Sequence, residues 1–372
     1  MSHIHPSWLE INLDALAYNV GAIKHFVGPN VALSAVVKAN AYGHGAIDIA
    51  RTALNSGATR LCVAYLGEAI QLREAGITAP ILVLAYTPAH AIAEAIQHDV
   101  AFSISELALG QAASRAAVAL QKPARVHLKI DTGMSRLGVL ANEAVPLIEA
   151  LIELPGLHLE GIFTHFSWAD GDPDYTTLQL GRLNMVLAQL RHPVTIHAAN
   201  SAATLNHPEA HFDQVRPGIA LYGLTPFASG WGQLPVDLQP VLAWKAQLAL
   251  VKTLPTGTPV SYGNTYTCES ERRIGVVPVG YADGFRRAPH HFGSVLIDGQ
   301  HAPILGRVCM DQTIVDVTHI PNARTDSEVV IIGQQGQARI SAEDVATQLG
   351  TINYEVTTAL AARLPRIFVE KQ

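Results

Sequence analysis

Between residues 30 and 225 the chain repeats one pattern, and that repetition limits its fold more than any other feature. Eight short apolar runs follow one another: "VALSAVVKA" from Val31, "LCVAYL" from Leu61, "ILVLAY" from Ile81, "VAFSIS" from Val100, "RVHLKID" from Arg125, "LEGIFTHF" from Leu159, "VTIHAAN" from Val194 and "QVRPGIALYG" from Gln214. Most are near-continuous rather than alternating, as strands buried on both faces must be. Stretches with apolar residues at helical spacing lie between most of them, such as residues 68–77 and 175–190. Eight strands alternating with helices predict an α/β fold, a (β/α)8 TIM-type barrel. An open doubly wound sheet is the alternative, weakened because no strand is followed by a GxGxxG loop.

After about residue 240 the pattern changes. "LAWKAQLALV" alternates in part, "SVLIDGQHAPI" sets an Asp-Gly turn between two strands, and "SEVVIIGQQGQ" is a strand ending in a turn. Only residues 342–350, "AEDVATQLG", read as a clear helix. A chain of 372 residues is long for one domain. The expected division is a barrel over 1–235 and a mostly-β domain over 236–372, with residues 1 to about 14 packing with the second. The joint falls in the Pro- and Gly-rich segment 229–240.

Charge and composition exclude several functions. A net charge of −6 does not suit a nucleic-acid surface, and no basic run suits an anionic membrane. No stretch is long and apolar enough to span a bilayer. "MSHIHPSWLEINLD" lacks the charged start and apolar block of a secretory signal. The three cysteines, Cys62, Cys268 and Cys309, are far apart, which fits a reducing cytoplasm and gives no CxxC metal site. No histidine pair has HExxH spacing, so no metal is expected.

In such a barrel the chemistry sits at the C-terminal strand ends. The first run ends on Lys38, with Tyr42 beyond it. The fifth carries Lys129 and leads to Arg136. The sixth ends at His165, the seventh at Asn200 and Ser201, and the eighth opens with Arg216, Gly218 and Ile219. A lone strand-end lysine is ordinarily a surface residue, and a lone histidine a structural one. Their coincidence on one rim carries the functional reading. A desolvated lysine loses its proton more easily and its amine becomes a nucleophile toward aldehydes. Pyridoxal phosphate is an aldehyde cofactor that also needs an anion cradle. Ser201 and the N–H groups of Gly218 and Ile219 offer one, and Tyr42 a phenol donor.

"AVVKANAYGHG" resembles the cofactor-lysine signature of the alanine racemases. The likeness continues through "LKIDTGMSRLG", "GIFTHF", "HAANSAA", "VRPGIALYG", "PVSYGNTYT", "PVGYADGF", "GRVCMDQ" and "RLPRIF". "VKAN" is shared with barrel-type amino-acid decarboxylases, whereas "SYG", "GYADG" and "CMD" are more specific to racemases. The resemblance implies a pyridoxal-phosphate enzyme that interconverts L- and D-alanine in the cytoplasm, for bacterial cell-wall metabolism. It implies a head-to-tail homodimer with shared active sites. It also implies roles residue by residue. Lys38 carries the cofactor and serves as one catalytic group. Tyr42, Ser201, Gly218 and Ile219 bind its phosphate, beside Asn200. His165 packs on its ring, and Arg216 meets the ring nitrogen. Arg136 reaches the cofactor phenolate and the substrate carboxylate. Met310 helps bind that carboxylate, and Tyr262 is the second catalytic group, both from the partner subunit. Lys129 matches a lysine carbamylated in several members. Tyr281 and Asp170 match an entry channel. Some members place a tyrosine where this chain has Ala362; no role passes to Tyr354.

Racemisation removes a proton from one face of Cα and returns it on the other, so two groups on opposite faces suit it. Tyr262 titrates near ~10 when unperturbed and needs cationic neighbours to act as a base. Arg216 offers only donors, so it should keep the ring nitrogen unprotonated and suppress transamination. A racemase of broader side-chain range, a decarboxylase of the same fold and a carrier protein without turnover are the alternatives. Arg216 and "CMD" argue against the decarboxylase. The second domain argues against the carrier.

Overall fold

The computed structural model describes residues 5–227 and 234–369. Residues 229–233 of the expected joint, and the first four of the N-terminal segment, lie outside the described residues. The chain divides into two compact units. One takes the residues up to Asp14, then Tyr42–His44 and everything from Pro240 onward. The other is Ala15–Ala41 with Gly45–Gln239.

The second of these units is a closed barrel. Each of the eight apolar runs holds one strand: β1 (Ala32–Val36), β2 (Arg60–Val63), β3 (Ile81–Val83), β4 (Ala101–Ile104), β5 (Ala124–Asp131), β6 (Leu157–Phe163), β7 (Thr195–His197) and β8 (Gln214–Val215). Neighbours pair in parallel in the order β4-β3-β2-β1-β8-β7-β6-β5, and β4 pairs with β5 to close the ring. The open-sheet alternative is thereby excluded. The helix expected at 68–77 spans Leu66–Glu74, and that expected at 175–190 spans Pro173–Leu187. The latter starts where it does because Asp172 accepts a hydrogen bond from the Tyr175 N–H and Pro173 follows with its φ already helical.

Barrels of this kind fill their interiors mainly with branched apolar side chains. This one also buries Ser34, His127, Lys129, His197, Gln214 and Arg216. Buried polar groups must find partners, so this set announces a network rather than a plain core.

The other unit is mostly β. Its main sheet runs Gln300–Pro303, Ser294–Ile297, Glu328–Gln335, Leu242–Gln247, Ser7–Asn12, Arg366–Val369. The Asp-Gly turn is present: Asp298 and Gly299 both take positive φ, 50° and 70°, as a two-residue hairpin requires. Helix Ala342–Leu349 is closed by a reciprocal Ser341–Asp344 cap and a left-handed Gly350. A second helix, Asn353–Thr358, escaped the sequence reading because six residues give too little periodicity to register. A smaller sheet joins Leu250–Leu254, Arg272–Val277 and Thr313–Asp316. No helix among the described residues is long and apolar enough to cross a membrane.

Candidate active site

Lys38 follows β1 at the C-terminal rim, and the backbone turns abnormally straight after it. Ala39, Asn40, Ala41 and Tyr42 all take φ near 53°. Each non-glycine residue in that region costs about 1–2 kcal/mol, so the run must be held. The Glu68 carboxylate accepts the N–H groups of Ala39, Ala64 and Tyr65. The Asn40 side chain accepts from Ala46 N, and its carbonyl from Gly45 N. Strain of this kind persists where surrounding structure over-determines it, commonly at functional sites. Asn40, Gly43 and Gly45 are the only local sequence signs of it.

Four cations gather around this rim. Burial first, then Arg136 and Arg216, hold the Lys38 amine below its ordinary pKa, against opposing pulls from Glu68 and Cys62. Lys129, only 7% exposed, stands over the Phe163 ring at 5.4 Å. Desolvation, then Arg136, Arg216 and Lys38, pull its pKa down to about 8, outweighing Asp131. Arg216, 3% exposed, donates to the carbonyls of Thr164 and Ala198 at 2.8 and 3.1 Å and faces His197 Nδ1 at 2.7 Å. Desolvation lowers even this guanidinium, to about 10. His165 lies well below the usual histidine range, from burial first and then the cations Arg216, Lys129, Lys38 and Arg136. It is a neutral ring.

The seventh and eighth strands end in a hydrogen-bonded cup. Asn200 caps the short helix Ser201–Asn206 by accepting from Ala203 N. The Ser201 hydroxyl accepts the N–H groups of Gly218 and Ala220 at 2.8 and 3.4 Å, and Ile219 is fully buried beside them. Lys38, Lys129, Arg136, His165, Asn200, Ser201, Arg216, Gly218 and Ile219 therefore all belong to the barrel unit. Asp170 does too, in the loop after β6.

Several supporting residues carried no sequence signal. The loop after β5, which bears Arg136, is strapped by helix Pro173–Leu187. Tyr175 donates to Gly133 O, Arg182 to Thr132 O, and Gln179 to Thr132 Oγ1 and His165 O. Asp131 folds the loop by accepting the N–H groups of Gly133 and Ser135. These are ordinary polar residues on a helix face, recognisable only once the helix is placed.

Tyr42, Tyr262, Tyr281 and Met310 belong to the other unit. Its three racemase-like motifs form one knot. Tyr281 N and Ala282 N donate to the carbonyls of Cys309 and Met310, which crowd so close that a Cβ on Gly280 would sit 2.3 Å from each oxygen. Arg363 donates to Asp283, at 2.6 Å, and to Asp311, at 2.8 Å, tying the closing "RLPR" to "GYADG" and "CMD". Tyr262 follows Ser261, whose φ is 64°, and opens with Met310 onto one hollow of about 610 Å³. The Arg287 guanidinium lies over the Tyr262 ring, 5.9 Å from its centroid. Tyr42 has Tyr354, to which sequence gave no role, as a ring neighbour at 6.0 Å; Ala362 is exposed.

Comparison with known proteins agrees with this architecture. Family models described as "Alanine racemase, N-terminal domain" and "Alanine racemase, C-terminal domain" match residues 11–226 and 241–368. A protein of Desulfosudis oleivorans named alanine racemase is 46% identical, over 97% of this chain and 96% of its own. The structure of alanine racemase from Bacillus anthracis with bound L-Ala-P superposes with a TM-score of 0.93 at 39% identity, covering 99% of this chain and 96% of that one. A histidine racemase from Leuconostoc mesenteroides superposes at 0.91 with 29% identity, covering 99% of both.

Proposed function

Since the chain belongs to the alanine racemase family, we infer that it interconverts L- and D-alanine, with pyridoxal 5′-phosphate as its cofactor. The observation that carries the reading is the cation cluster at the barrel rim around a lysine whose amine is held below its ordinary pKa. A group with a phosphate, a phenolate and an aldehyde fits such a site. The phenolate answers Arg136, the phosphate answers the Ser201–Gly218–Ile219 cup, and the aldehyde answers the Lys38 amine.

In this reading Lys38 would hold the cofactor covalently. Ser201, Gly218, Ile219 and Tyr42 would bind its phosphate, with Asn200 supporting them, and His165 would pack on its ring. When bound, pyridoxal phosphate draws electrons from the substrate amino acid and makes its Cα–H acidic. Lys38 Nζ exchanges the proton on one face of Cα. The Tyr262 hydroxyl exchanges it on the other. Arg136 and Met310 orient the substrate carboxylate, and Tyr281 and Asp170 line its approach. Arg216 can donate but not accept, so it offers the ring nitrogen no proton acceptor. Lys129, with a pKa near 8, keeps part of its amine unprotonated and open to carbon dioxide. Carbamylation turns a cation facing Arg136 into an anion, which relieves a like-charge contact in low dielectric.

The assembly is a cytoplasmic homodimer in which Tyr262 and Met310 complete the partner's site. The exposure of Tyr262 and Met310, 65% and 53%, supports this. Mixing inactive Lys38→Ala with inactive Tyr262→Phe under subunit exchange should restore activity toward about a quarter of wild type. No recovery after proven exchange would refute shared sites.

Purified protein given pyridoxal phosphate and L-alanine should form D-alanine until the enantiomers balance. Release of carbon dioxide would instead mark a decarboxylase, and no change a carrier. A broader side-chain range is the second reading, favoured by the likeness to the histidine racemase. L-serine and L-histidine in the same assay test it.

A further inference from the structure

Behind Arg216 the barrel interior holds a line of polar side chains that the racemisation chemistry does not call for. Arg216 faces His197 Nδ1 at 2.7 Å. His197 Nε2 faces His127 Nδ1 at 2.8 Å. His127 Nε2 points toward Glu160 Oε2 at 3.7 Å, too long for a direct hydrogen bond, and Glu160 Oε1 accepts from Arg60 at 2.9 Å. His197 is clamped flat on Phe163, with ring centroids 4.8 Å apart and planes 5° off parallel.

The direction of donation along this line is fixed. Arginine has donors only, so His197 Nδ1 must accept and its hydrogen must sit on Nε2. His127 Nδ1 must then accept in turn, which places its hydrogen on Nε2, facing the carboxylate. Desolvation first, with the cations Arg60 and Arg216 adding to it, disfavours a charge on His127 and outweighs the opposing pull of Glu160. Glu160 is held down to about 2, by the facing His127 first and by the Arg60 guanidinium, against burial. The carboxylate therefore stays ionised, and both rings stay neutral in one tautomer.

Two features show that the line is built in. The β5–β6 register slips between Val126 and His127, because Val126 pairs with Leu159 and His127 with Gly161. Glu160 is the extra residue of a β-bulge, a device that re-aims a side chain. A Cβ on Gly161 would sit 2.4 Å from His127 Nδ1, so glycine is what lets the imidazole reach His197. The 3.7 Å gap also opens on a pocket of about 10 Å³, lined among others by Ser34, His127, Glu160 and Gln214. His127 Nε2 and Gln214 Oε1 are buried there without a protein partner. That is room for one water with several polar neighbours.

We propose that Glu160, through a bound water, His127 and His197, forms a tautomer-setting wire that positions the Arg216 guanidinium. Glu160 and His127 are thus positioning residues for racemisation, acting from deep in the barrel. The functional consequence rests on the placement of Arg216 at the ring nitrogen; the wire itself does not.

Nitrogen-15 spectra of the holoenzyme with labelled histidine test the wire directly. His197 and His127 should each show an unprotonated Nδ1 and a protonated Nε2. Glu160→Gln removes the carboxylate that holds the far end of the line, so the His197–Arg216 contact should loosen and His127 should sample both tautomers. Racemisation should fall about tenfold, the low end of what orienting partners are worth, with KM for alanine unchanged and a larger share of turnovers lost to pyruvate. Gly161→Ala, which displaces His127 without altering charge, should reproduce the tautomer change and the altered partitioning. A wild-type pattern in both variants, or mixed tautomers with unaltered partitioning, would overturn the proposal. Arg216→Lys is the control. If it leaves pyruvate formation unchanged, the placement of Arg216 fails, and the histidine spectra still decide the wire.

Discussion

Apart from the exposed Arg136 of the barrel and the buried Tyr42 of the other unit, the two units present their candidate site residues in opposite ways. In the barrel unit, Arg216, Lys129 and Ser201 are buried, and their neighbours fix them on several sides. In the other unit the backbone is tightly knotted by Asp283, Arg363 and Gly280, yet Tyr262, Met310 and Tyr281 stand exposed on that rigid support. The barrel has already desolvated Arg216 and Lys129, and bears the cost within one chain. The β unit keeps a stiff frame and leaves its candidate side chains uncovered, as the proposed shared site requires.

Lys38→Ala tests the barrel side most severely. Racemisation and the visible absorption of bound cofactor should both vanish. Thermal stability of the cofactor-free protein should hold or rise, since a desolvated cation is removed from beside Arg136 and Arg216. A marked fall in stability would mean that the lysine is structural.

Tyr262→Phe tests the exposed side. Loss of one proton-transfer group should cost ~10²–10⁴ in rate, while the melting temperature stays level because the side chain is 65% exposed. A destabilised variant would break the contrast between the units.

Asp283→Asn probes the frame rather than the chemistry. It weakens a buried acceptor of Arg363 and Gly280, and should cost about 1–3 kcal/mol in urea unfolding. Unchanged stability would show that the knot is held by its backbone bonds alone.

The smallest effect concerns Lys129 and pH. Its folded pKa, about 8, lies below the ordinary 10.5. Above the folded value the folded state binds fewer protons than the unfolded chain, so unmodified, cofactor-free protein should gain stability as pH rises between these values. Carbamylation would remove that slope and add the mass of carbon dioxide. Urea midpoints against pH, read beside intact mass, separate the two cases.

How legible this was in the sequence depended on how local the physics is. The barrel strands could be read because burial on both faces makes each an unbroken apolar run, whatever its neighbours. Lys38, Lys129, His165, Ser201 and Arg216 could be placed at its rim because strand ends are predictable once strands are. The left-handed run from Ala39 to Tyr42 could not be read, because alanine has no preference for that conformation and the bonds from Glu68 come from far along the chain. The bulge at Glu160 was hidden for a related reason. A bulge is a relation between two strands, and nothing in "LEGIF" records which residue lacks a partner.

The strand Ser7–Asn12 lies between Leu242–Gln247 on one side and Arg366–Val369 on the other. During synthesis it therefore emerges before both neighbours and waits for them. At ~5–20 residues per second, the last of them follows roughly 20–70 s later. Throughout that time an apolar segment with two open edges is available to any other nascent chain. The barrel, whose strands arrive in order, can close meanwhile. Removing residues 7–12 would thus take an interior strand, next to the edge, out of a sheet whose other strands are made some 230 residues later and beyond, and the damage should show in the carboxyl-terminal sheet rather than in the barrel.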